Sequence, residues 1–199
     1  MPTIPRMNFS RSTFTVIAVL AVAAAGCGSS GSSSGSSGGS SPAAEAKATA
    51  SGDIPDNQVF LRYRNATAGY SVKYPEGWAR KGSPNAISFS DKDNQVRVAI
   101  AKGGAPSASQ AKAALAKAGL PGLKINSVQT TKIGGSPAIH LFYHQRGPTD
   151  PVTGKRLTLQ VDRYVTGAKG KVATIDESTP VGVDNVDAYR LIAQSFQWQ

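Results

Sequence analysis

The sequence has two histidines, His140 and His144, four residues apart. On a helix that spacing puts two imidazoles on one face, the start of a zinc site. Their surroundings, "AIHLFYH", alternate and are rich in aromatic and β-branched residues, so a strand is predicted. On a strand the two share a face but stand about 13 Å apart, too far for one metal. Ser109 and Lys112 match S-x-x-K, a nucleophile motif of penicillin-recognising enzymes, but the partner motifs S-D-N and K-T-G do not occur. The competing reading is the first turn of a helix with a solvated lysine. Asp91 and Asp93 open a stretch, "DKDNQVRVAIAK", with Val at the sixth position and Lys at the twelfth. Those positions fail the calcium-loop pattern, and turn chemistry accounts for the acids. Asp176 and Glu177 are expected to be solvated at the end of a strand. Trp78 and Trp198 are expected at the edge of a core rather than as ligand platforms. No Walker A or dinucleotide fingerprint occurs. No cofactor and no metal are expected, and no catalytic residue is assigned.

The single cysteine, Cys27, carries the clearest chemistry. Arg6 and Arg11 precede an apolar run of 12 residues, 14–25, that ends in small residues. That is the layout of a secretory signal. It is shorter than the roughly 20 residues a membrane-spanning helix needs. Ala24-Ala25-Gly26-Cys27 resembles the bacterial lipobox, although most lipoboxes have Leu where this chain has Ala24. The resemblance implies cleavage before Cys27 and acylation of its sulfur and amine. Two or three acyl chains hold a protein durably, where one binds marginally. With no second cysteine, an intrachain disulfide is excluded. The expected location is the extracytoplasmic face of a bacterial membrane.

Residues 28–41 are Gly and Ser only, and residues 42–57 contain little that packs. Such composition cannot bury enough apolar surface to offset ordering entropy. The linker has a root-mean-square reach of roughly 30 Å. It contains a G-x-S-x-G match, Gly31 to Gly35, without the flanking strand and helix that a nucleophile elbow requires. The organisation is therefore a signal peptide over 1–26, lipidated Cys27 and linker over 27–57, and a folded domain over 58–199.

The domain reads as α+β, an antiparallel sheet with a few helices. Strands are expected over 59–64, 70–74, 86–90, 95–101, 123–132, 138–145, 156–166 and 171–176, with turn residues between them. A helix is expected over 107–118, opened by the capping-box pair Ser107 and Gln110 and ended by Gly119 and Pro121. A second is expected over 184–194, with Asp184 and Asp187 at its N-terminus.

"AGYSVKYPEGW" (68–78) is similar to the opening of PsbP-like domains, a Gly-aromatic strand ending in Tyr-Pro and then Gly-Trp. "ISFSD" and "VRVAI" sit where that family has its next strands, "KIGGSPAIHLFYH" resembles its Gly-Gly hairpin, and "LIAQSFQW" its closing helix. The resemblance implies an antiparallel sheet sandwiched between helices, an α/β/α sandwich. It implies a binding or assembly role without catalysis. Two alternatives remain: an exported cell-envelope hydrolase using Ser109 and Lys112 or the histidines, and a calcium-binding accessory subunit in the manner of PsbP.

The folded part carries 19 Lys and Arg against 9 acids. A basic domain tethered near a membrane feels anionic lipid or acidic wall polymer. An envelope protein is a further candidate partner. The cations are scattered, with no aromatic-basic nucleic-acid motif, so no nucleic-acid partner is expected.

Overall fold

A computed structural model describes residues 52–149 and 153–199. The leader, Cys27 and the Gly/Ser tract lie outside the described residues. The elements are β1 (Phe60–Asn65), β2 (Tyr70–Pro75), β3 (Ala79–Ser83), β4 (Ala86–Asp91), β5 (Asn94–Lys102), α1 (Ala108–Ala116), β6 (Lys124–Ile133), β7 (Ser136–Thr149), β8 (Arg156–Ala168), β9 (Lys171–Pro180), α2 (Val186–Gln194) and β10 (Gln197–Trp198). Seven strands form one antiparallel sheet in the order β3-β4-β5-β9-β8-β7-β6. A second sheet, β1-β2-β10, is also antiparallel.

Alternation along each strand gives the large sheet two apolar faces. On one, Ile87, Phe89, Val96, Val98 and Ile175 pack with Tyr70 and Val72 of the small sheet and with Tyr189, Ile192 and Ala193 of α2. On the other, Leu141, Tyr143, Leu159, Val161 and Val165 pack against Ala111 and Leu115 of α1. Each large side chain so buried contributes about 1.5–3 kcal/mol. Aromatic pairs lock the first layer: Phe89 stacks on Tyr74 at 4.3 Å and meets the edge of Tyr63 at 5.5 Å. Trp78 packs at the margin of this core, and Trp198 joins it through the edge of Phe196 at 5.3 Å.

Turn chemistry fixes the register. Gly134 and Gly135 join β6 to β7 with φ of +50° and +82°, the left-handed pair that a tight hairpin of this hand requires. A side chain on Gly134 would also collide with the Phe196 carbonyl. The Ser107–Gln110 capping box closes the N-terminus of α1 as its spacing predicts.

Three features depart from the sequence reading. β3 is a wholly exposed edge strand whose residues, ARKGS, lack alternation. β9 continues to Pro180 rather than stopping at Asp176, because Glu177, Ser178 and Thr179 are buried. α2 begins at Val186, with Asp184 outside it.

Residues 52–57, assigned to the linker by composition, are held against the domain. The Asn94 amide donates to the Gly52 carbonyl at 2.5 Å, and the Ile54 N–H donates to Asn185 Oδ1 at 2.6 Å. Thr179 Oγ1 donates to Asn94 Oδ1 at 2.6 Å, and Asn185 Nδ2 donates to the same oxygen at 3.1 Å. Asn94, Thr179 and Asn185 are all buried. Removing one member leaves buried partners unsatisfied, at about 1–3 kcal/mol for each orphaned group. Asn185→Ala is therefore expected to lower the urea midpoint with an unchanged m-value, by more than an exposed control such as Asn126→Ala.

Candidate functional site

α2 overhangs β7, β8 and β9 and leaves a cleft of about 380 Å³ between helix and sheet. The strand period aims one face of each strand at it: His140 and Phe142 of β7, Gln160, Asp162 and Tyr164 of β8, and Glu177 of β9. Val186, Tyr189 and Arg190, on one side of α2, complete the walls. His140 Nε2 lies 2.6 Å from Asp162 Oδ1, and the His140 ring stacks on Tyr164 at 4.6 Å. The Tyr189 hydroxyl donates to the Ser178 carbonyl at 2.7 Å, fixing the helix over the end of β9.

Glu177 is the unusual member. It is 1% exposed, and neither carboxyl oxygen has a hydrogen-bond partner of good geometry. It lies directly across the ladder from Asp162, where two like charges are unfavourable. Burial pushes its pKa well above the usual carboxylate range, and the Asp162 charge pushes it further; the Ala193 backbone offsets this only in part. Burial likewise raises the Tyr164 and Tyr189 phenols, with Glu177 adding to each. The cleft floor is thus a carboxyl whose protonated form burial favours, beside phenols that burial also favours in the protonated form.

The neighbouring acid behaves otherwise. Asp176 points to the opposite face and is held bidentately by Arg163, at 2.5 and 2.9 Å. The sequence expectation of two solvated acids is therefore corrected: Asp176 is ion-paired within the sheet and Glu177 is buried under α2. Both lie within a strand rather than at its end.

The other expected groups are dispersed. His140 and His144 share the cleft-facing side of β7, but His144 pairs with Asn126, 3.4 Å away, and meets the edge of Phe142. Ser109 and Lys112 lie on exposed turns of α1, across the sheet from His140, and Ser109 Oγ sits 3.0 Å from Ser107 Oγ. Asp91 and Asp93 flank Lys92 in the β4–β5 turn, and both are exposed. Among the described residues, no cluster of three or more His, Cys, Asp or Glu side chains is arranged to hold a metal ion. Cys27 lies outside the described residues.

Asp162, Tyr164, Tyr189 and Arg190 carry no motif in the sequence, and Glu177 lies buried under α2 rather than in solvent. A signal was present: Ala173, Ile175, Glu177 and Thr179 alternate onto the apolar face of one strand.

The sequence matches no family profile and no curated protein. By shape, the chain is similar to the cyanobacterial PsbP protein CyanoP of Synechocystis sp. PCC 6803, with a TM-score of 0.53 and 20% identity over 74% of this chain and 98% of that one. The domain has a PsbP-like fold. More distant likenesses to this PsbP-like domain are the Ran-binding protein Mog1p of Saccharomyces cerevisiae and LpqN of Mycobacterium tuberculosis, a protein involved in cell envelope biogenesis. Mog1p gives a TM-score of 0.47 and 7% identity over 71% of this chain and 96% of that one. LpqN gives 0.44 and 15% over 71% and 91%.

A folded-state pKa raised above the unfolded value means that stability falls as pH rises from the unfolded pKa to the folded one. Glu177→Gln is accordingly expected to raise Tm at pH 8, by about 4 °C per kcal/mol recovered. The difference should shrink towards zero as the pH is lowered below the usual carboxylate range. Thermal melts of both proteins across that range check it.

Proposed function

We propose that the chain is a lipid-anchored binding or assembly module on the extracytoplasmic face of a bacterial membrane, without catalytic activity of its own. The observation that carries the binding role is the cleft beneath α2, a concave site whose floor is a buried carboxyl with no hydrogen-bond partner of good geometry among the described residues. Clefts of about 300–1,000 Å³ are the usual size of small-molecule sites. The groups that line it support binding more readily than bond breaking. Its hydroxyls are phenols whose pKa values burial raises, and the S-x-x-K serine lies across the sheet. The PsbP-like fold supports an accessory role by analogy.

The address comes from the sequence. The basic n-region, the apolar run, Ala24 to Cys27 and the Gly/Ser tract follow one another in the order of a lipoprotein leader and tether. Among the described residues no helix is long and apolar enough to cross a membrane. Once tethered, the domain meets anionic head groups or acidic wall polymer with its basic side chains. Arg62 and Lys73 are cross-strand partners on the small sheet, and Arg64 follows on the same face. Each basic residue held near an anionic surface contributes about 1 kcal/mol.

Cys27→Ser removes the acylation site without touching the folded domain. The variant is expected to move from the membrane fraction to the soluble extracytoplasmic fraction of the expressing cells, and to lose incorporation of a labelled fatty acid. Retention in the membrane fraction after a high-salt wash would contradict the anchor.

A further inference from the structure

We propose that the cleft beneath α2 binds a small organic cation, a primary ammonium or guanidinium compound, with Glu177 as its counter-ion and the aromatic side chains of β7 and β8 as its walls. This rests on the reading of the domain as a binding module and names the chemical class of its ligand.

Glu177 is 1% exposed, lines the cleft, and among the described residues neither carboxyl oxygen has a hydrogen-bond partner of good geometry. Buried polar groups in folded proteins are nearly always satisfied, and an exception calls for an explanation. Leaving the acid neutral lowers the cost but satisfies neither oxygen. A ligand bearing N–H donors and a positive charge does both, through charge-assisted hydrogen bonds stronger than neutral ones.

The surroundings favour a cation over other ligands. Asp162, whose Oδ1 meets His140 Nε2 at 2.6 Å, faces Glu177 across the ladder, so the floor presents two carboxyl groups, of which Glu177 is the one without a well-placed partner among the described residues. The groups facing Glu177 are Asp162, Tyr164 and His140 from the sheet, and Tyr189 and Arg190 from α2. Arg190, the cationic side chain on the helix wall, is 3.0 Å from Asp187. Phe142 and Tyr164 supply aromatic walls, and a cation within about 6 Å of such a ring is attracted by its quadrupole. A bare metal ion fits less well, since the cleft lacks a cluster of three ligating side chains. An anion would meet two carboxyl groups. A neutral alcohol would satisfy the protonated acid but gain nothing from Asp162.

The pairing has a proton signature. Where Glu177 is neutral in the free protein, a bound cation ionises it, so about one proton is released per ligand. Affinity then rises about tenfold per pH unit until the free carboxyl ionises on its own.

Calorimetry on the full-length chain in detergent tests this, with benzylammonium as the probe and benzyl alcohol as the neutral control. The expected result is saturable binding of benzylammonium, weaker binding of the alcohol, and affinity that increases with pH. Repeating the titration in buffers of different ionisation enthalpy should show proton release. Glu177→Gln keeps the shape of the side chain and removes its charge. It should weaken binding at least about tenfold and abolish the proton release. Val186→Trp, at an exposed position on the cleft wall, should block binding with an unchanged Tm. Absence of saturable binding, equal binding of the alcohol, or undiminished binding by Glu177→Gln would each overturn the proposal. None of these outcomes bears on the Cys27 anchor, which fractionation tests separately.

Discussion

The domain hangs on a buried polar knot made of Asn94, Thr179 and Asn185. Asn94 comes from the turn end of β5, Thr179 from the last residues of β9, and Asn185 from the residue preceding α2. The same side chains hold the incoming chain at Gly52 and Ile54. Three stretches distant in sequence, 52–54, Asn94 and 179–185, are thus tied at one point through buried groups. Unpaired, each would cost more than a hydrogen bond gains, so the knot specifies one arrangement rather than merely favouring it.

That arrangement sets the height and direction of α2. The knot fixes the residue before the helix, Asn185, and the Tyr189 hydroxyl on the Ser178 carbonyl fixes the first turn. Tyr189, Ile192 and Ala193 then bury against the sheet. Glu177 of β9 lies beneath α2 beside Tyr189, and its burial follows from the position of the helix. The domain thereby holds an acid in a buried place where its ionised form is disfavoured. The opposite face makes the contrast. There Asp176, next in sequence, is fully engaged by Arg163 and adds rigidity without leaving anything unsatisfied.

The strands with clean alternation were legible from sequence, and so were the Gly-Gly hairpin and the capping box at Ser107. Each is a local pattern with a local cause. β3 was not legible, because an exposed edge strand of Ala, Arg, Lys, Gly and Ser has no apolar face to reveal it. The tail of β9 was misread because Asp-Glu-Ser-Thr looks like a solvated loop, while tertiary packing overrides that composition. The PsbP-like architecture could be anticipated from an ordered series of short motifs. The cleft could not, since it depends on where α2 lands, and that is decided by Asn94 and Asn185, which in sequence look like ordinary turn residues. His140 drew attention as a potential ligand; its partner, Asp162, lies 22 residues away and is brought to it only by strand register.

Burial under α2 favours the protonated form of one carboxyl, Glu177. The chain has three glutamates, Glu45, Glu76 and Glu177, so carbon-13 NMR of side-chain carboxyls in glutamate-labelled protein resolves the question directly. The account predicts that one of the three resonances keeps the chemical shift of a protonated acid to a pH well above that at which the other two titrate, and that this resonance is missing from Glu177→Gln. Three carboxyls that all titrate near the ordinary value of about 4.3 would contradict it.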